Sequence, residues 1–167
     1  MHRVIYLISC VKEKRSSPSP ARDLYTSRLF ECSKELVTFS ITVLRQQGVK
    51  AEWFILSAKY GLVHPDEVLA PYNVTLNDMD LRERRNWGLK AYKELKHHLE
   101  RESSPEDVCI IFLAGKKYRD FLMKWLQDDG YMVVNAWEGL RGIGYVLRWC
   151  NETLGFLKEK RSPLTCT

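Results

Sequence analysis

Four apolar segments along the chain alternate with segments in which apolar residues recur at helical spacing. The apolar segments are nearly continuous runs, typical of strands buried on both faces, and comprise residues 4–9, 51–57, 108–114 and 131–135. Helical spacing predicts helices over residues 26–47, 81–101, 117–128 and 142–158. Strands that alternate with helices imply right-handed crossovers. We therefore expect an α/β fold with a mainly parallel four-stranded sheet and helices on both faces.

The segment between residues 58 and 78 follows neither period, and Gly61, Pro65 and Pro71 interrupt it. Long irregular segments within compact domains are often functional. The alternative is a packed Ω-loop whose polar side chains satisfy their own backbone. We expect residues 56–76 to form part of the working surface of the protein.

The length of 167 residues suits one domain. We assign residues 1–159 to it and expect residues 160–167 to form a flexible tail. No apolar run approaches the ~18 residues needed to span a bilayer, and Arg3 argues against a signal peptide. These features predict a cytoplasmic protein without a membrane partner, and we expect a monomer.

Five cysteines are scattered along the chain without a C-x-x-C pair: Cys10, Cys32, Cys109, Cys150 and Cys166. An odd, unpaired set favours reduced thiols over a disulfide framework or a zinc site. We therefore expect neither a disulfide nor a metal, and no cofactor.

The formal net charge of +5 favours an anionic partner, although many proteins with neutral ligands are equally basic. In open parallel sheets the ligand lies outside the carboxyl ends of the strands. After the first predicted strand stand Lys12, Lys14 and Arg22, which can hold phosphates. Asp23 follows them, and its carboxylate can either activate water or cap the next helix.

The second strand leads into the irregular segment, which is rich in side chains that stack or form hydrogen bonds. Tyr60 and Tyr72 offer flat faces to a base, and Asn73 or Asn77 can read a base edge. Lys59 can contact a phosphate or act as an amine nucleophile, and Asp66 adds a carboxylate.

The third and fourth strands also end in polar, basic sequence. Lys116 and Lys117 open a helix, where their charge opposes the helix dipole unless an anion or solvent compensates it. Arg119 follows in the same turn. After the fourth strand, Glu138 is a candidate general base or specificity acceptor, and Arg141 lies among glycines that allow a ligand close approach.

Several of these motifs resemble known families. Residues 56–63, LSAKYGLV, followed by Pro65 and Pro71-Tyr72, resemble a signature of the YaaA-like peroxide-stress proteins and the uracil-DNA-glycosylase-like domain of archaeosine-synthesis enzymes. The wider pattern adds residues 9–14, 21–25 and 138–144. It resembles a family of small, formerly unassigned bacterial and phage proteins near the uracil-DNA glycosylase superfamily, which includes anti-phage glycosylases that excise bulky modified bases.

The resemblance implies a three-layer glycosylase-like fold, a DNA partner and N-glycosidic cleavage without a metal. For this reaction, the carboxylates available near predicted strand ends or in the irregular segment are Asp23, Asp66 and Glu138, which we take as the catalytic candidates. Base contacts would come from Ser9, Cys10, Tyr25, Ser57, Lys59, Tyr60, Tyr72 and Asn77. DNA phosphates would be held by Lys12, Lys14, Arg22, Lys116, Lys117, Arg119 and Arg141.

The chain also departs from ordinary uracil-DNA glycosylases. It has no G-Q-D-P-Y loop after the first strand and no H-P-S loop near the fourth; residues 64–66, HPD, are only a partial match in another loop. The uracil-specific catalytic residues are therefore not carried over. The alternatives are a non-catalytic DNA-binding or stress protein and an enzyme acting on free nucleosides or nucleotides. A Schiff base at Lys12 or Lys59, giving strand cleavage, is a further variant.

Overall fold

The computed structural model describes residues 2–101 and 103–166. The strands and helices are, in chain order, β1 (Arg3–Ser9), β2 (Ser19–Pro20), α1 (Ala21–Leu24), α2 (Arg28–Gln46), β3 (Lys50–Ser57), β4 (Gly61–Val63), β5 (Val68–Leu69), α3 (Leu81–Leu99), β6 (Val108–Leu113), α4 (Lys116–Asp128), β7 (Met132–Asn135) and α5 (Ile143–Lys160). Short 3-10 turns cover Leu76–Asp78 and Pro105–Asp107. In the described ranges, no helix is both long and apolar enough to cross a membrane.

The main sheet has five strands in the order β4-β3-β1-β6-β7. β1 lies at its centre and pairs in parallel with β3 and β6, and β6 pairs in parallel with β7. All residues of β1 and β6 are buried, as the continuous apolar runs predicted. The four predicted strands and the α/β class are confirmed.

The prediction of four strands was wrong because the sheet includes β4, which pairs antiparallel with β3. β4 has only three residues, too few for an alternating pattern to be recognised. Gly61 begins it with a φ of 77°, in the left-handed region that favours glycine. This conformation lets the chain reverse within three residues and pair Gly61 with Ser57.

The helices pack in two pairs, α2 with α5 and α3 with α4. The crossover through α2 moves from β1 to β3, whereas those through α3 and α4 move in the opposite direction along the sheet. Right-handed crossovers therefore place the two pairs on opposite faces. The core lies between each pair and the sheet, and its largest fully buried side chains include Tyr6, Phe30, Phe54 and Phe112.

The segment predicted to be irregular contains short ordered pieces. Besides β4, it forms β5, which pairs antiparallel with β2. Backbone hydrogen bonds continue this contact, since Ala21 N donates to Glu67 O at 2.7 Å and Arg22 N donates to Pro65 O at 2.9 Å. The loop after β1 is thereby attached to the loop after β4.

The C-terminal residues differ from the flexible tail that we expected. Leu164 N donates to Ser40 Oγ at 2.9 Å, and Leu164 O accepts from the Tyr6 hydroxyl. Cys166 forms a disulfide with Cys109 of β6. The expectation that all five thiols are reduced was wrong because 57 residues separate this pair, and spacing in the sequence does not reveal such a distant contact.

Candidate functional site

A cavity of about 990 Å³ opens at the carboxyl edge of the sheet, beyond the end of β1. It lies between the loop after β1, the segment around residues 73–78, and the first turns of α2, α4 and α5. Its polar lining side chains are Cys10, Lys12, Glu13, Lys14, Thr26, Ser27, Arg28, Asn73, Thr75, Asn77, Asp78 and Tyr118. Its position agrees with the rule that ligands bind at this edge of parallel sheets.

Three helices begin beside this cavity. α2 is capped by Ser27, whose Oγ accepts from Phe30 N at 3.1 Å. α4 and α5 begin after Gly115 and Gly142 without a side-chain cap. Their first backbone N–H groups therefore remain available to an anionic ligand, which the partial positive charge of a helix N-terminus also favours.

A buried thiol lies at the inner end of the cavity. Cys10 directly follows β1, is 8% exposed, and its Sγ lies 3.3 Å from the Tyr118 hydroxyl. Ala58 N donates to the same sulfur at 3.4 Å. The two contacts connect the ends of β1 and β3 with the first turn of α4. Burial is the larger cause that raises the pKa of the Tyr118 hydroxyl, and the nearby Cys10 is the second. This hydroxyl therefore keeps its proton at neutral pH.

The hydroxyls of Tyr25, Tyr72 and Ser57 form a hydrogen-bonded chain next to Lys14, a residue of the cavity lining. The Tyr72 hydroxyl lies 2.6 Å from that of Tyr25 and 2.8 Å from that of Ser57. Ser57 Oγ also accepts from Tyr60 N at 3.1 Å, and Ser57 O accepts from Trp87 Nε1 at 2.8 Å. Burial raises the pKa of both Tyr25 and Tyr72. The chain is therefore neutral, and it holds the irregular segment against β3 and α1.

Lys14 lines the cavity, and its amine lies over the rings of two tyrosines of this chain. Its Nζ lies 4.4 Å from the ring centre of Tyr72 and 5.7 Å from that of Tyr25. Burial lowers the pKa of the Lys14 amine, and Cys10 and Glu13 partly offset this effect. A half-buried amine with a lowered pKa is more readily deprotonated than an ordinary lysine.

Replacing Tyr72 with phenylalanine is expected to destabilise the fold by about 1–3 kcal/mol, since the buried hydroxyls of Tyr25 and Ser57 both lose a partner. Urea unfolding measures the change in the free energy of unfolding. Tyr145→Phe is the matched control because Tyr145 is 66% exposed, and it should behave as the wild type. Equal stability of the two variants would contradict the hydroxyl chain.

The structure brings several predicted site residues together. Four of them line the cavity: Cys10, Lys12, Lys14 and Asn77. Three others form the hydrogen-bonded hydroxyl chain: Tyr25, Ser57 and Tyr72. Ser9 is buried at the end of β1.

Two further predicted base contacts lie near the hydroxyl chain and outside the lining. The ring of Tyr60 packs edge-on against Tyr72 with 5.6 Å between centroids. Lys59 Nζ lies 5.3 Å from the Tyr60 ring centre.

The three carboxylates predicted to be catalytic lie outside the cavity lining. Asp23 is 3.9 Å from Lys34 Nζ, and Asp66 forms an ion pair with Arg22. Glu138 is exposed in the turn after β7 and accepts from Asn135 Nδ2 at 3.3 Å. The structure does not bring these carboxylates together.

The remaining predicted phosphate contacts lie beside lining residues in the sequence. Lys116 and Lys117 are exposed immediately before Tyr118, and Arg141 is exposed two residues before Ile143, which lines the cavity. Arg119 forms an ion pair with Asp120 at 3.4 Å. None of the four lines the cavity itself.

Sequence reasoning missed several lining residues, and the two carboxylates Glu13 and Asp78 matter most for the chemistry. Glu13 lies between Lys12 and Lys14, which were predicted to hold phosphates, so its place in the sequence indicated that it could also lie at the site. Asp78 follows Asn77 at the end of the irregular segment. Arg28, Thr75 and Tyr118 also line the cavity, and only the convergence of α2, α4 and the segment around residues 73–78 makes them neighbours.

The profile of one family matches residues 5–152, from β1 into α5, and therefore includes every element around the cavity. The chain belongs to DUF6884, a family of unknown function. A relative described as "Uncharacterized protein YfjM", from Bacillus subtilis (strain 168), is 26% identical over 158 residues. The alignment covers 89% of this chain and 93% of that protein. The DUF6884 match thus extends over the elements that form the cavity.

Proposed function

We propose that this DUF6884 protein is a DNA glycosylase that cleaves the N-glycosidic bond of a modified base and leaves an abasic site. The observation that carries the proposal is the cavity of about 990 Å³, in which basic, acidic and aromatic side chains meet. Pockets for small ligands measure roughly 300–1,000 Å³. This cavity therefore has room for a bulky modified base together with its sugar.

The basic side chains at the cavity suit a DNA backbone. Lys12 and Arg28 line it and are exposed, and the uncapped starts of α4 and α5 offer backbone N–H groups to phosphate oxygens. Together with the net charge of +5, these groups favour a polyanion over a neutral metabolite.

Two exposed side chains on the first turn of α5 suit the extrusion of a base from duplex DNA. Ile143 is 74% exposed and Tyr145 is 66% exposed, and Ile143 lines the cavity. Apolar side chains of this kind can enter a base stack and occupy the space that a flipped nucleotide leaves. The extruded base would then enter the cavity beside Tyr118.

The carboxylates of the cavity suit the chemistry of base excision. Departure of the base leaves an oxocarbenium-like sugar, which a nearby negative charge stabilises. Glu13 and Asp78 can supply that charge and accept a proton from the attacking nucleophile. Asn73 and Asn77 can form hydrogen bonds with the edge of the base and so contribute to its recognition.

The resemblance to the uracil-DNA glycosylase superfamily and to anti-phage glycosylases supports the same reaction. On this proposal the fold is a glycosylase-like three-layer α/β fold, and the substrate is DNA with a hypermodified base, encountered in defence against phage or in repair. The absence of the uracil-specific loops from the sequence favours a base other than uracil.

The test is incubation with DNAs that carry different modified bases, followed by mass spectrometry of released bases and detection of abasic sites. We expect at least one modified DNA to lose its base and unmodified DNA to remain intact. Free nucleosides with the same bases are the matched control and should not be cleaved. Release of no base from uracil, hydroxymethylated, glucosylated and deazaguanine DNAs would contradict the proposal, and salt-dependent binding without release would favour a non-catalytic DNA-binding protein.

A further inference from the structure

We propose that the amine of Lys14 attacks C1′ of the deoxyribose, so that the protein cleaves the DNA strand in addition to releasing the base. This inference rests on the proposed glycosylase function. It adds a lyase activity, and a covalent intermediate, to the same cavity.

The backbone of Lys14 is held firmly at the cavity. Lys14 forms an isolated antiparallel β-bridge with Tyr25. Its flanking residues are fixed by hydrogen bonds from Arg15 N to Leu24 O at 2.8 Å and from Thr26 N to Glu13 O at 3.0 Å. The position of the Lys14 Cα is therefore determined by α1 and not by a free loop. A nucleophile needs such positioning to approach a reacting carbon productively.

The side chain of Lys14 is also directed by its surroundings. Its Nζ rests on the ring of Tyr72 at 4.4 Å from the centroid and donates to Lys12 O at 3.2 Å. Tyr72 itself is fixed by hydrogen bonds to Tyr25 and Ser57. The ring of Tyr72 thus holds the amine in place. The hydroxyls of Tyr25 and Tyr72 keep their own protons, so they cannot accept the proton that the amine gives up.

Other lysines near the cavity are less suited to this role. Lys12 lines the cavity but is exposed, and Lys59 lies outside the lining, over the ring of Tyr60. Lys14, by contrast, is half-buried. Burial lowers the pKa of its amine, and the opposite effect of Cys10 and Glu13 is smaller. Lys14 therefore gives up its proton at a lower pH than an ordinary lysine, whose pKa is about 10.4.

The reaction balances without an additional reagent. The neutral amine forms a bond to C1′, and the N-glycosidic bond breaks with its electron pair leaving on the base, which takes up a proton. The C1′–O4′ bond then opens as one amine proton is transferred to O4′, giving an imine between C1′ and Nζ. Removal of a C2′ proton expels the 3′ phosphate and breaks the strand, and water finally hydrolyses the imine. Glu13 and Asp78 are the carboxylates of the lining that can accept the C2′ proton.

The experiment traps the imine with sodium cyanoborohydride on two duplexes: one with an independently prepared abasic site, and one with the modified base that the protein releases. We expect a covalent protein–DNA adduct on both, with the mass label on the peptide that contains Lys14. Lys14→Arg retains the charge and the contact with Tyr72 but cannot form the imine, so adduct formation should fall at least ~100-fold. Lys93→Arg, on the exposed surface of α3, should behave as the wild type.

The pH dependence provides a further readout. Adduct formation should rise with pH as the amine loses its proton, and it should reach its plateau below the pH at which an exposed lysine would. Four groups face this amine: Cys10 and Glu13 raise its pKa and so oppose the effect of burial, and the rings of Tyr25 and Tyr72 lie 5.7 Å and 4.4 Å from it. A purely structural role for Lys14 would give no adduct at any pH.

The outcomes separate this inference from the proposed function. Base release without an adduct, an adduct on another amine, or an adduct that persists in Lys14→Arg would overturn the role of Lys14 and leave the glycosylase proposal intact. An adduct at Lys14 on abasic DNA, with no base released from any modified DNA, would support the amine chemistry and overturn the glycosylase proposal. If Lys14→Arg fails to fold, the labelled peptide of the wild type decides.

Discussion

Removal of both carboxylates that line the cavity, in the double variant Glu13→Gln/Asp78→Asn, is expected to slow base release by roughly 100- to 10,000-fold. General acid–base groups contribute rate factors of this size, and the negative charge that stabilises the sugar in the transition state is lost with them. Single-turnover release of the modified base measures the effect. Because glutamine and asparagine preserve shape, DNA binding should change little, and a gel-shift titration checks that it does.

The matched control is Asp23→Asn/Glu138→Gln, which removes two of the three carboxylates that the sequence analysis put forward as catalytic. Both side chains lie outside the cavity lining, so base release should remain within about threefold of the wild type. The reverse result, loss in this control and retention in the cavity variant, would show that the reaction takes place elsewhere on the surface.

Phe112→Ala is expected to destabilise the protein by about 3–5 kcal/mol. Phe112 is fully buried in β6, where it pairs with Leu7 on one side and Asn135 on the other. Truncation removes apolar contacts and leaves a cavity that the flanking strands cannot close. The free energy of unfolding of a native protein is only about 5–15 kcal/mol. A loss of this size should therefore lower the urea midpoint substantially.

Phe156→Ala serves as the control for that measurement. Phe156 is 57% exposed on α5, and its truncation should cost no more than about 0.5 kcal/mol. Similar losses in both variants would contradict the burial of β6 between β1 and β7. A change in the denaturant slope would instead point to an altered unfolded state.

The main elements of the fold were predictable because burial imposes a clear pattern on the sequence. β1 and β6 are apolar at nearly every position, and the α2 pattern ends at a glycine, Gly48, which adopts a φ of 79°. β4 and the β2–β5 pair were missed since each strand has only two or three residues. Such pairs are determined by contacts between distant loops, which periodicity does not record.

The candidate site was predictable as a region but only partly in its residues. The rule for parallel sheets indicated the edge at which the cavity opens, and Cys10, Lys12 and Lys14 line that cavity. It could not distinguish which carboxylates face inward, because the direction of a loop side chain depends on partners elsewhere. Asp66 forms an ion pair with Arg22, for example, whereas Asp78 lines the cavity.

The disulfide between Cys109 and Cys166 gives the C-terminal third of the chain a closed covalent topology. The ring runs from β6 through α4, β7 and α5 back to β6, and it contains the exposed turn at Gly139 and Gly142. A protease that cuts in this turn would therefore leave both fragments covalently joined. The nicked molecule would run as one band on a non-reducing gel and separate only after a thiol is added. The two lining residues of α5, Ile143 and Leu147, would thus stay attached to the sheet after backbone damage that would otherwise release them.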